Sequence, residues 1–311
     1  MDAAIGKSRW HAAGTSVAAA IPLALLVAIA GAMLPLLPDW QAMWLLALAI
    51  YFGLKWLTLA AFLAGQGGPA RGVSTGRASP VRVLGYLLLW PGMDARAFLD
   101  PAFRPVRPKV GEWLLMLVKL AVGFSLLYAV VPGFGRAHPF LAGWTGLAGL
   151  VLVLHFGLFH LLSLGWRAAG IEARPIMNWP ILATSLADFW GRRWNLAFRD
   201  LAFARVGRPL AGRIGVAWAT LTVFVASGLI HDLVISVPVR GGWGGPTVYF
   251  VVQGLGLLLE RSRTGRRLGL GGGVVGRLTC AIFVVAPVGL LFHEPFIRRA
   301  ILPTLAALGA I

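Results

Sequence analysis

The sequence predicts an all-α membrane protein, a polytopic helical bundle of about seven to nine spans accompanied by interfacial helices. Of its 311 residues, 58% are hydrophobic and only 13% are charged. This composition is far from that of a soluble globular domain and is typical of polytopic membrane proteins. Apolar runs of about 20 residues recur along the chain, and short basic loops separate them. We therefore expect one membrane-embedded domain over residues 1–311.

The first two apolar runs, 16–37 and 43–64, predict a tight membrane hairpin because only a short turn separates them. The N-terminus resembles a signal peptide, with Lys7 and Arg9 ahead of apolar residues. Its apolar run is too long for the hydrophobic region of such a peptide and lacks a clear cleavage site. We therefore expect a first membrane span there.

The middle of the chain predicts one short apolar segment and two full spans. Residues 83–90 are apolar but too few to cross a bilayer, and a Pro-Gly pair ends the run. We expect an interfacial or re-entrant piece buried against protein, since unpaired backbone cannot face lipid. The basic, proline-containing residues 93–109 predict a non-helical loop, and 113–131 and 140–166 predict the third and fourth spans.

The last part of the chain predicts one interfacial helix followed by three spans. Aromatic and leucine residues recur at helical spacing within 177–213, between arginines, which is typical of an amphipathic helix at the membrane surface. The apolar runs 214–237, 247–259 and 274–292 predict the remaining spans.

The charge balance indicates orientation in a membrane. Lys and Arg number 28 against 11 acidic residues, a formal net charge of +17. The basic residues lie in short loops and form no compact face, so nucleic-acid binding is excluded. With seven spans, the basic loops and the N-terminus fall on one side, which the positive-inside rule makes cytoplasmic. We expect a multi-pass protein of a bacterial inner (plasma) membrane with a cytoplasmic N-terminus.

His231 is the first candidate for chemistry because it lies within an apolar span. A titratable side chain surrounded by hydrocarbon is costly and marks a functional site by default. The small residues Ser227 and Gly228 precede it and leave room for a substrate to approach. A neutral imidazole can accept a proton near pH 7. The alternative is a histidine that only hydrogen-bonds a neighbouring helix. Asp232 lies about 100° further around the helix, so it could meet a different helix instead.

A second candidate cluster precedes that span. It consists of Asp188, Trp190, Arg192, Arg193, Trp194 and Asn195. One interpretation is an interfacial aromatic belt with arginines that reach lipid head groups. The other is the mouth of a cavity, where Arg192 and Arg193 hold the phosphates of a charged cosubstrate and Asn195 offers an amide to a reacting oxygen. Asp188, Trp190, Trp194 and Ser227 would then line the substrate site.

The other candidate residues have simpler interpretations. His155 and His160 are about 140° apart on a regular α-helix, so we expect neither a shared face nor a metal site. His293, beside Glu294 and Pro295, is expected to cap a helix at the interface. The lone Cys280 lies in an apolar run and is expected to pack in the core.

Two motifs, SLADFWGRRWN at 185–195 and VASGLIHD at 225–232, resemble those of the wax synthase branch of the membrane-bound O-acyltransferases. The segments LWPGMD at 89–94 and LFHEPF at 291–296 are similar to flanking segments of the same branch. The resemblance therefore covers a motif-bearing core of residues 89–296, which is most of the chain.

This resemblance implies an acyl-CoA:alcohol O-acyltransferase whose membrane helices surround an internal reaction tunnel. The family's essential histidine corresponds to His231 and its motif asparagine to Asn195. Asp232 stands where the family usually has glutamate, a departure that leaves the imidazole intact. The chain is also short for the superfamily, which bears on acceptor size and tunnel shape. The resemblance implies acyl-CoA as cosubstrate and neither a metal nor another cofactor.

The residues and the resemblance together give one hypothesis and two rivals. Acyl-CoA would enter from the basic side, an alcohol or lipid acceptor would arrive from the bilayer, and His231 would act as general base. A histidine-ligated membrane oxidase or desaturase is the first rival, although the histidine spacing does not favour it. A non-enzymatic transporter is the second, although no paired halves occur in the sequence.

Overall fold

The computed structural model describes residues 17–65, 79–134 and 137–311. All regular elements within these ranges are helical, so the all-α prediction is confirmed. Expectations about Lys7, Arg9 and the basic loop 66–78 concern positions outside the described residues.

The described α-helices are numbered in chain order. They are α1 Val17–Met33, α2 Asp39–Leu63, α3 Pro80–Leu89, α4 Ala95–Leu99, α5 Val110–Ser125, α6 Val131–Phe134, α7 Pro139–Val151, α8 Phe159–Ala168, α9 Leu186–Asp188, α10 Leu196–Ala202, α11 Arg208–Val239, α12 Gly245–Arg261, α13 Arg263–Arg267, α14 Gly273–Val285, α15 Val288–Leu291, α16 Glu294–Phe296 and α17 Leu302–Ala307. Several helices continue through π-helical turns at Leu126–Val130, Leu152–Leu158, Phe189–Arg193, Phe203–Gly207 and Ile297–Ile301. Short 3₁₀ segments lie at Leu34–Leu36 and Pro180–Leu182.

The predicted N-terminal hairpin is present as the packed pair α1 and α2. A 3₁₀ segment that contains Pro35 follows α1, and Pro38 immediately precedes α2. Proline cannot continue a helix whose backbone N–H is needed, but it suits the first turn of the next one. The prolines therefore explain why the chain reverses within so few residues.

The short apolar segment is α3, and its length confirms that it does not cross the bilayer. Its 10 residues reach about 15 Å, half of a typical hydrocarbon thickness. Tyr86 on this helix is fully buried, and the indole of Trp166 donates to the Leu89 carbonyl at 2.9 Å. The segment is thus packed against the rest of the protein. This packing is expected because unpaired backbone groups at the end of α3 cannot face lipid.

The prediction that 93–109 is entirely non-helical was wrong. A five-residue helix, α4, begins after Asp94, whose carboxylate accepts from the Ala97 N–H at 3.0 Å. An aspartate at this position satisfies an N–H that the helix itself leaves free, so the cap stabilises a helix in a segment whose prolines suggested none.

Six described helical runs are long and apolar enough to cross a membrane, which confirms a polytopic bundle. They are Ala18–Leu36, Asp39–Leu63, Val110–Phe134, Pro139–Ala168, Leu196–Val239 and Gly273–Leu291. Sequence analysis counted seven spans, and the additional one corresponds to α12. This helix has 17 residues, or about 25 Å, and carries Gln253 and Glu260. By length and composition, α12 is therefore too short and too polar to count as a membrane-spanning helix.

The prediction of one amphipathic interfacial helix over 177–213 was also wrong. The chain there forms a 3₁₀ turn, the short helix α9, a π turn and then α10, with breaks between them. Trp179 and Asn195 adopt left-handed backbone conformations at two of these breaks. Leu186, Asp188 and Phe189 are buried, so this part of the segment packs into the protein.

The helix α11 begins before the predicted start at 214 and bends once. Its residues run from Arg208 to Val239, with a non-helical backbone at Gly215 (φ 81°, ψ 160°). A side chain would be strained at this positive φ, so glycine permits the bend. Beyond the bend, α11 packs along α12.

Gly228 brings α11 and α12 into close contact. A Cβ atom at this position would lie 2.6 Å from the Thr247 Cα on α12. Membrane helices approach closely where small residues remove side chains from the interface. Because the obstacle is backbone, a larger residue must push the two helices apart.

We expect Gly228→Ala to destabilise the protein by about 1–3 kcal/mol, the usual result of overpacking a tight interface. Thermal unfolding in detergent micelles measures the change. Gly212→Ala on the same helix is the matched control, because a Cβ there meets nothing within 4 Å. Equal melting temperatures for the two variants would contradict this account of the interface.

Candidate active site

The His231 imidazole is held in one tautomer by its own helix. Its Nδ1 lies 2.6 Å from the Ser227 carbonyl oxygen, one turn earlier. A carbonyl can only accept a hydrogen bond, so Nδ1 carries the proton. In the neutral ring the lone pair is then on Nε2, and no hydrogen bond to Nε2 occurs within the part of the chain that the structure describes. This arrangement leaves a nitrogen able to accept a proton.

One aromatic ring fixes the orientation of the imidazole from the neighbouring helix. The Phe250 ring on α12 lies 4.4 Å from the His231 ring, centroid to centroid. Ser227 is buried, but its hydroxyl donates to the Val223 carbonyl at 2.9 Å on its own helix. The serine hydroxyl is therefore engaged with backbone, while the imidazole lies against α12.

Asp232 meets a different helix, as expected from its angular position. Its carboxylate accepts from the N–H groups of Gly244 and Thr247, both at 3.0 Å, and from the Thr247 hydroxyl. These groups lie at the start of α12. An acidic side chain there satisfies N–H groups that the helix cannot. Asp232 thus joins α11 to α12 and does not orient His231.

His293 is a helix cap, which confirms the sequence interpretation. Its Nδ1 accepts from the Phe296 N–H at 3.2 Å at the start of α16. Its Nε2 lies 3.2 Å from the Ser236 hydroxyl, which itself donates to Asp232 at 2.8 Å. The His293 Nε2 must therefore donate. Burial lowers the pKa of His293, although the charge of Asp232 opposes the shift, and this favours the neutral ring that the two hydrogen bonds require.

The motif segment, residues 185–195, is attached to α12 by two buried polar residues. Glu260 accepts from the N–H groups of Leu186 at 2.7 Å and Ala187 at 3.3 Å. Gln253 accepts from the Trp190 indole at 3.2 Å and donates to the Phe283 carbonyl at 2.6 Å. Backbone N–H groups away from water need such partners.

Sequence analysis missed Glu260 and Gln253. The signal was present, because both are polar residues in the apolar segment Gly245–Arg261 and they are seven positions apart. That spacing places them on the same face of a helix. Polar side chains within membrane helices almost always face the protein interior, so the pair could have been predicted to bind another element.

Asp188 and the two arginines form an ion-pair group at the edge of the motif segment. The Arg193 Nε lies 2.5 Å and the Arg192 Nε 3.1 Å from the Asp188 carboxylate. Arg193 also donates to the Trp179 carbonyl at 3.2 Å, so its side chain is largely engaged within the protein. The Arg192 side chain is 75% exposed and presents the rest of its guanidinium outward.

These partners also decide the protonation of Asp188. Burial alone would raise the pKa of this carboxyl, but the hydrogen bonds from Arg193 and the Thr184 N–H and the charges of both arginines outweigh it. The pKa of Asp188 therefore lies below its ordinary value. The carboxylate stays ionised and holds the arginines in place.

A continuous row of aromatic rings joins the motif segment to His231. The Trp190 ring lies 5.7 Å from Phe250, the same ring that packs on His231. In the other direction, Phe189 contacts Trp190 at 5.0 Å and Trp194 at 5.6 Å. Trp190 is thus near the histidine helix, whereas Trp194 lies on the far side of Phe189.

Asn195 terminates the motif segment and begins α10. Its Oδ1 accepts from the Phe198 N–H at 3.2 Å, and its own N–H points to the Met177 sulfur at 3.3 Å. Asparagine tolerates the left-handed backbone (φ 38°) found here. The side-chain NH₂ group has no hydrogen bond among the described residues, nor does any bond join Asn195 to His231.

His155 and His160 line one pocket, so the expectation that they do not share a face was wrong. The chain between Leu152 and Leu158 is a π turn, in which hydrogen bonds join residues five apart. Residues at that spacing then lie on the same side of the helix. The pocket is lined by Lys119, His155, Phe156, Phe159, His160, Pro175, Ile176 and Met177.

Comparison with known proteins finds a matching family model. The model described as "Membrane bound O-acyl transferase family" matches residues 173–252, which include the motif segment, Asn195 and His231. The matched stretch is 80 of the 311 residues, and over it the chain is similar to the membrane-bound O-acyltransferases. In this chain, the matched residues are those that pack the motif segment against α11 and α12.

The curated relatives with similar sequences carry the names of long-chain-alcohol and sterol acyltransferases. This chain is 34% identical over 149 residues to "Probable long-chain-alcohol O-fatty-acyltransferase 9" of Arabidopsis thaliana (43% of each chain). It is 33% identical over 145 residues to "Long-chain-alcohol O-fatty-acyltransferase" of Simmondsia chinensis (42% of this chain, 41% of the other). A 71-residue match to "Acyl-CoA--sterol O-acyltransferase 1" of Arabidopsis thaliana is 39% identical (21% of each). The chain spans less than half the length of these relatives.

Neither rival hypothesis gains support from these findings. Within the described ranges, no three His, Cys, Asp or Glu side chains come together as a metal-binding group. The family and its named relatives are acyltransferases, whereas the rivals were an oxidase and a transporter.

We expect the stability of the protein to fall in acid partly because of Asp188. Its pKa is lower in the folded state, so its stabilising effect is complete above the ordinary aspartate pKa of about 4 and is lost as pH falls through the folded value. Melting temperatures between pH 7 and pH 3 should therefore decline less in Asp188→Asn than in the wild type, from a lower starting value. Glu294→Gln, which removes an exposed Arg pair, is the control and should keep the wild-type slope. Parallel curves for all three proteins would exclude this role.

Proposed function

We propose that this protein transfers a fatty acyl group from acyl-CoA to the hydroxyl of a long-chain alcohol, with His231 as general base. The observation that carries the proposal is the His231 tautomer, in which the Ser227 carbonyl holds the proton on Nδ1 and leaves Nε2 to accept another. The family match over residues 173–252 and the printed names of the relatives support the reaction type.

The chemistry needs one proton acceptor and no covalent enzyme intermediate. The His231 Nε2 takes the proton of the alcohol hydroxyl as its oxygen attacks the thioester carbonyl. The C–S bond of the resulting tetrahedral intermediate then breaks, and the imidazolium returns the proton to the departing CoA thiolate. The products are an ester and free CoA, and the histidine ends in its starting form.

Asn195 is proposed to position or stabilise a reacting oxygen through its side-chain NH₂ group. Its Oδ1 is bonded to the Phe198 N–H, which holds the amide plane in a fixed orientation. The aromatic row of Phe250, Trp190 and Phe189 lies between the two candidate residues. A bound substrate would have to extend along this row, within the proposed tunnel, for Asn195 and His231 to act on it together.

The donor is proposed to enter from the side that bears Arg192. This guanidinium is exposed beyond its ion pair with Asp188 and can bond a phosphate of CoA, while Arg193 supports the segment from within. The positive-inside rule supports a cytoplasmic location for this side and for the N-terminus. The membrane is proposed to be a bacterial inner membrane. The acceptor alcohol would arrive from the bilayer.

Replacement of His231 tests the proposal directly. We expect His231→Ala to lower ester formation by about 10² to 10⁴-fold, the usual contribution of a general base. Purified protein is given a long-chain acyl-CoA and a fatty alcohol, and both free thiol and ester are measured. His138→Ala, at an exposed histidine before α7, should retain wild-type activity. Undiminished ester formation in His231→Ala would reject the mechanism.

Arg192 and Arg193 are expected to differ in their kinetic effects. Arg192→Ala should raise KM for acyl-CoA about tenfold with kcat nearly unchanged, because one charge-assisted phosphate contact is lost. Arg193→Ala should lower the melting temperature, because it removes the ion pair with Asp188 and one hydrogen bond to the Trp179 carbonyl.

The matched control for Arg192 is Arg298→Ala. Arg298 forms the same kind of partly exposed pair, with Glu294 four residues away, but at the opposite end of the bundle. Its KM for acyl-CoA should equal that of the wild type. A similar rise in KM for Arg192→Ala and Arg298→Ala would show that Arg192 makes no specific donor contact.

A further inference from the structure

The pocket between α5 and the π turn at Leu152–Leu158 has no role in the proposed reaction. Its polar side chains are Lys119, His155 and His160, and the rest of its wall is apolar. Lys119 lies about 14 Å from the start of its span and His160 about 12 Å from the end of its own. Ionisable groups at such depth are costly and mark functional sites by default.

The positive charge of Lys119 has no acidic partner among the described residues. Its Nζ lies 3.5 Å from the His160 Nδ1 and 5.2 Å from the centre of the Trp179 ring. Glu112, two turns earlier on the same helix, is paired with Arg167 at 2.7 Å. That pair is electrically balanced, so the ammonium group of Lys119 remains uncompensated.

The pocket also contains an unsatisfied polar atom. The His155 Nδ1 is buried, and within the described part of the chain it has no hydrogen-bond partner. Native proteins seldom leave such an atom unpaired, because no hydrogen bond then offsets the free energy lost when the atom is removed from water. An ammonium group can only donate, so the His160 Nδ1 accepts from Lys119, and the remaining Lys119 hydrogens are available to a ligand.

The residues of the pocket wall indicate which kind of anionic ligand can bind. Phe156, Phe159, Ile176 and Met177 supply apolar and aromatic surface beside the polar groups. The whole pocket has room for about one water molecule, so a single oxygen atom of a ligand fits inside it. Lys119 is only partly buried, and Trp179, which packs against its ammonium group, is exposed, so the Lys119 side of the pocket is accessible from outside the bundle.

We propose that this pocket binds the carboxylate of a long-chain fatty acid from the bilayer. One carboxylate oxygen would enter the pocket and accept from Lys119 and from the His155 Nδ1 in its protonated tautomer, while the acyl chain lies outside the pocket beside the exposed Trp179. Met177 lines the pocket and also receives the Asn195 N–H, so an occupant would contact the motif segment. The proposal does not depend on the proposed acyl transfer.

Equilibrium binding of radiolabelled oleate to the purified full-length protein in lipid nanodiscs, with empty nanodiscs subtracted, tests this site. We expect saturable binding that weakens at least tenfold in Lys119→Met, where the charge is removed and the chain length is kept. His155→Phe should weaken binding severalfold. Lys109→Met, at an exposed position just before the same helix, should bind as the wild type does.

Two competitors define the ligand chemistry. Oleyl alcohol has the same chain without the charge and should compete at least tenfold less well than unlabelled oleate. Acetate has the charge without the chain and should not compete at millimolar concentration. Unchanged oleate binding in Lys119→Met with a wild-type melting temperature would overturn the proposal, as would equal competition by oleate and oleyl alcohol.

A final arm separates this proposal from the acyl-transfer mechanism. His231→Ala is expected to lose ester formation but to bind oleate with wild-type affinity, because His231 does not line the pocket. If ester formation instead persists in that variant, the transfer mechanism fails while the oleate result still stands. Loss of oleate binding in His231→Ala would show that the measured site is the reaction tunnel, and would overturn the assignment to this pocket.

Discussion

The hydrogen bonds between the Glu260 carboxylate and the first N–H groups of the motif segment are the constraint on which the site depends. A segment as broken as 177–207 leaves many backbone groups without helical partners, and none of them can remain unpaired near hydrocarbon. Glu260, Ser185 and the ion pair of Asp188 with Arg193 supply the missing partners. With these bonds made, an irregular segment can lie inside a helical bundle and present its aromatic side chains to α11 and α12.

Much of the fold could be predicted because membrane spans depend on simple sums over many residues. The hairpin, the short α3 and the spans near 113–131 and 140–166 follow from the lengths of apolar runs. The interfacial helix over 177–213 could not be excluded in this way, since arginine and tryptophan suit both a membrane surface and a polar cleft. The deciding residues, Gln253 and Glu260, are 63 and 74 positions away in the chain from the groups that they bind.

Some features of the candidate site could likewise be predicted from the sequence, and others could not. His231 and the capping role of His293 were predictable, because the cost of a buried imidazole and the preference for caps are local properties. The proton position on His231 was not, since it follows from a carbonyl one turn away whose distance only the folded helix determines. Asp232 resembles a catalytic partner in sequence, yet its carboxylate is occupied by three groups of the next helix.

The π turn at Leu152–Leu158 also determines what a one-residue change in chain length would do to the pocket. It accommodates more residues in one turn than an α-helix does, so loss of a single residue there would relax it to regular geometry. Every side chain beyond that point would then rotate by about 100° relative to those before it. A length change of one residue could thus separate the two imidazoles while every amino acid that carries them is kept.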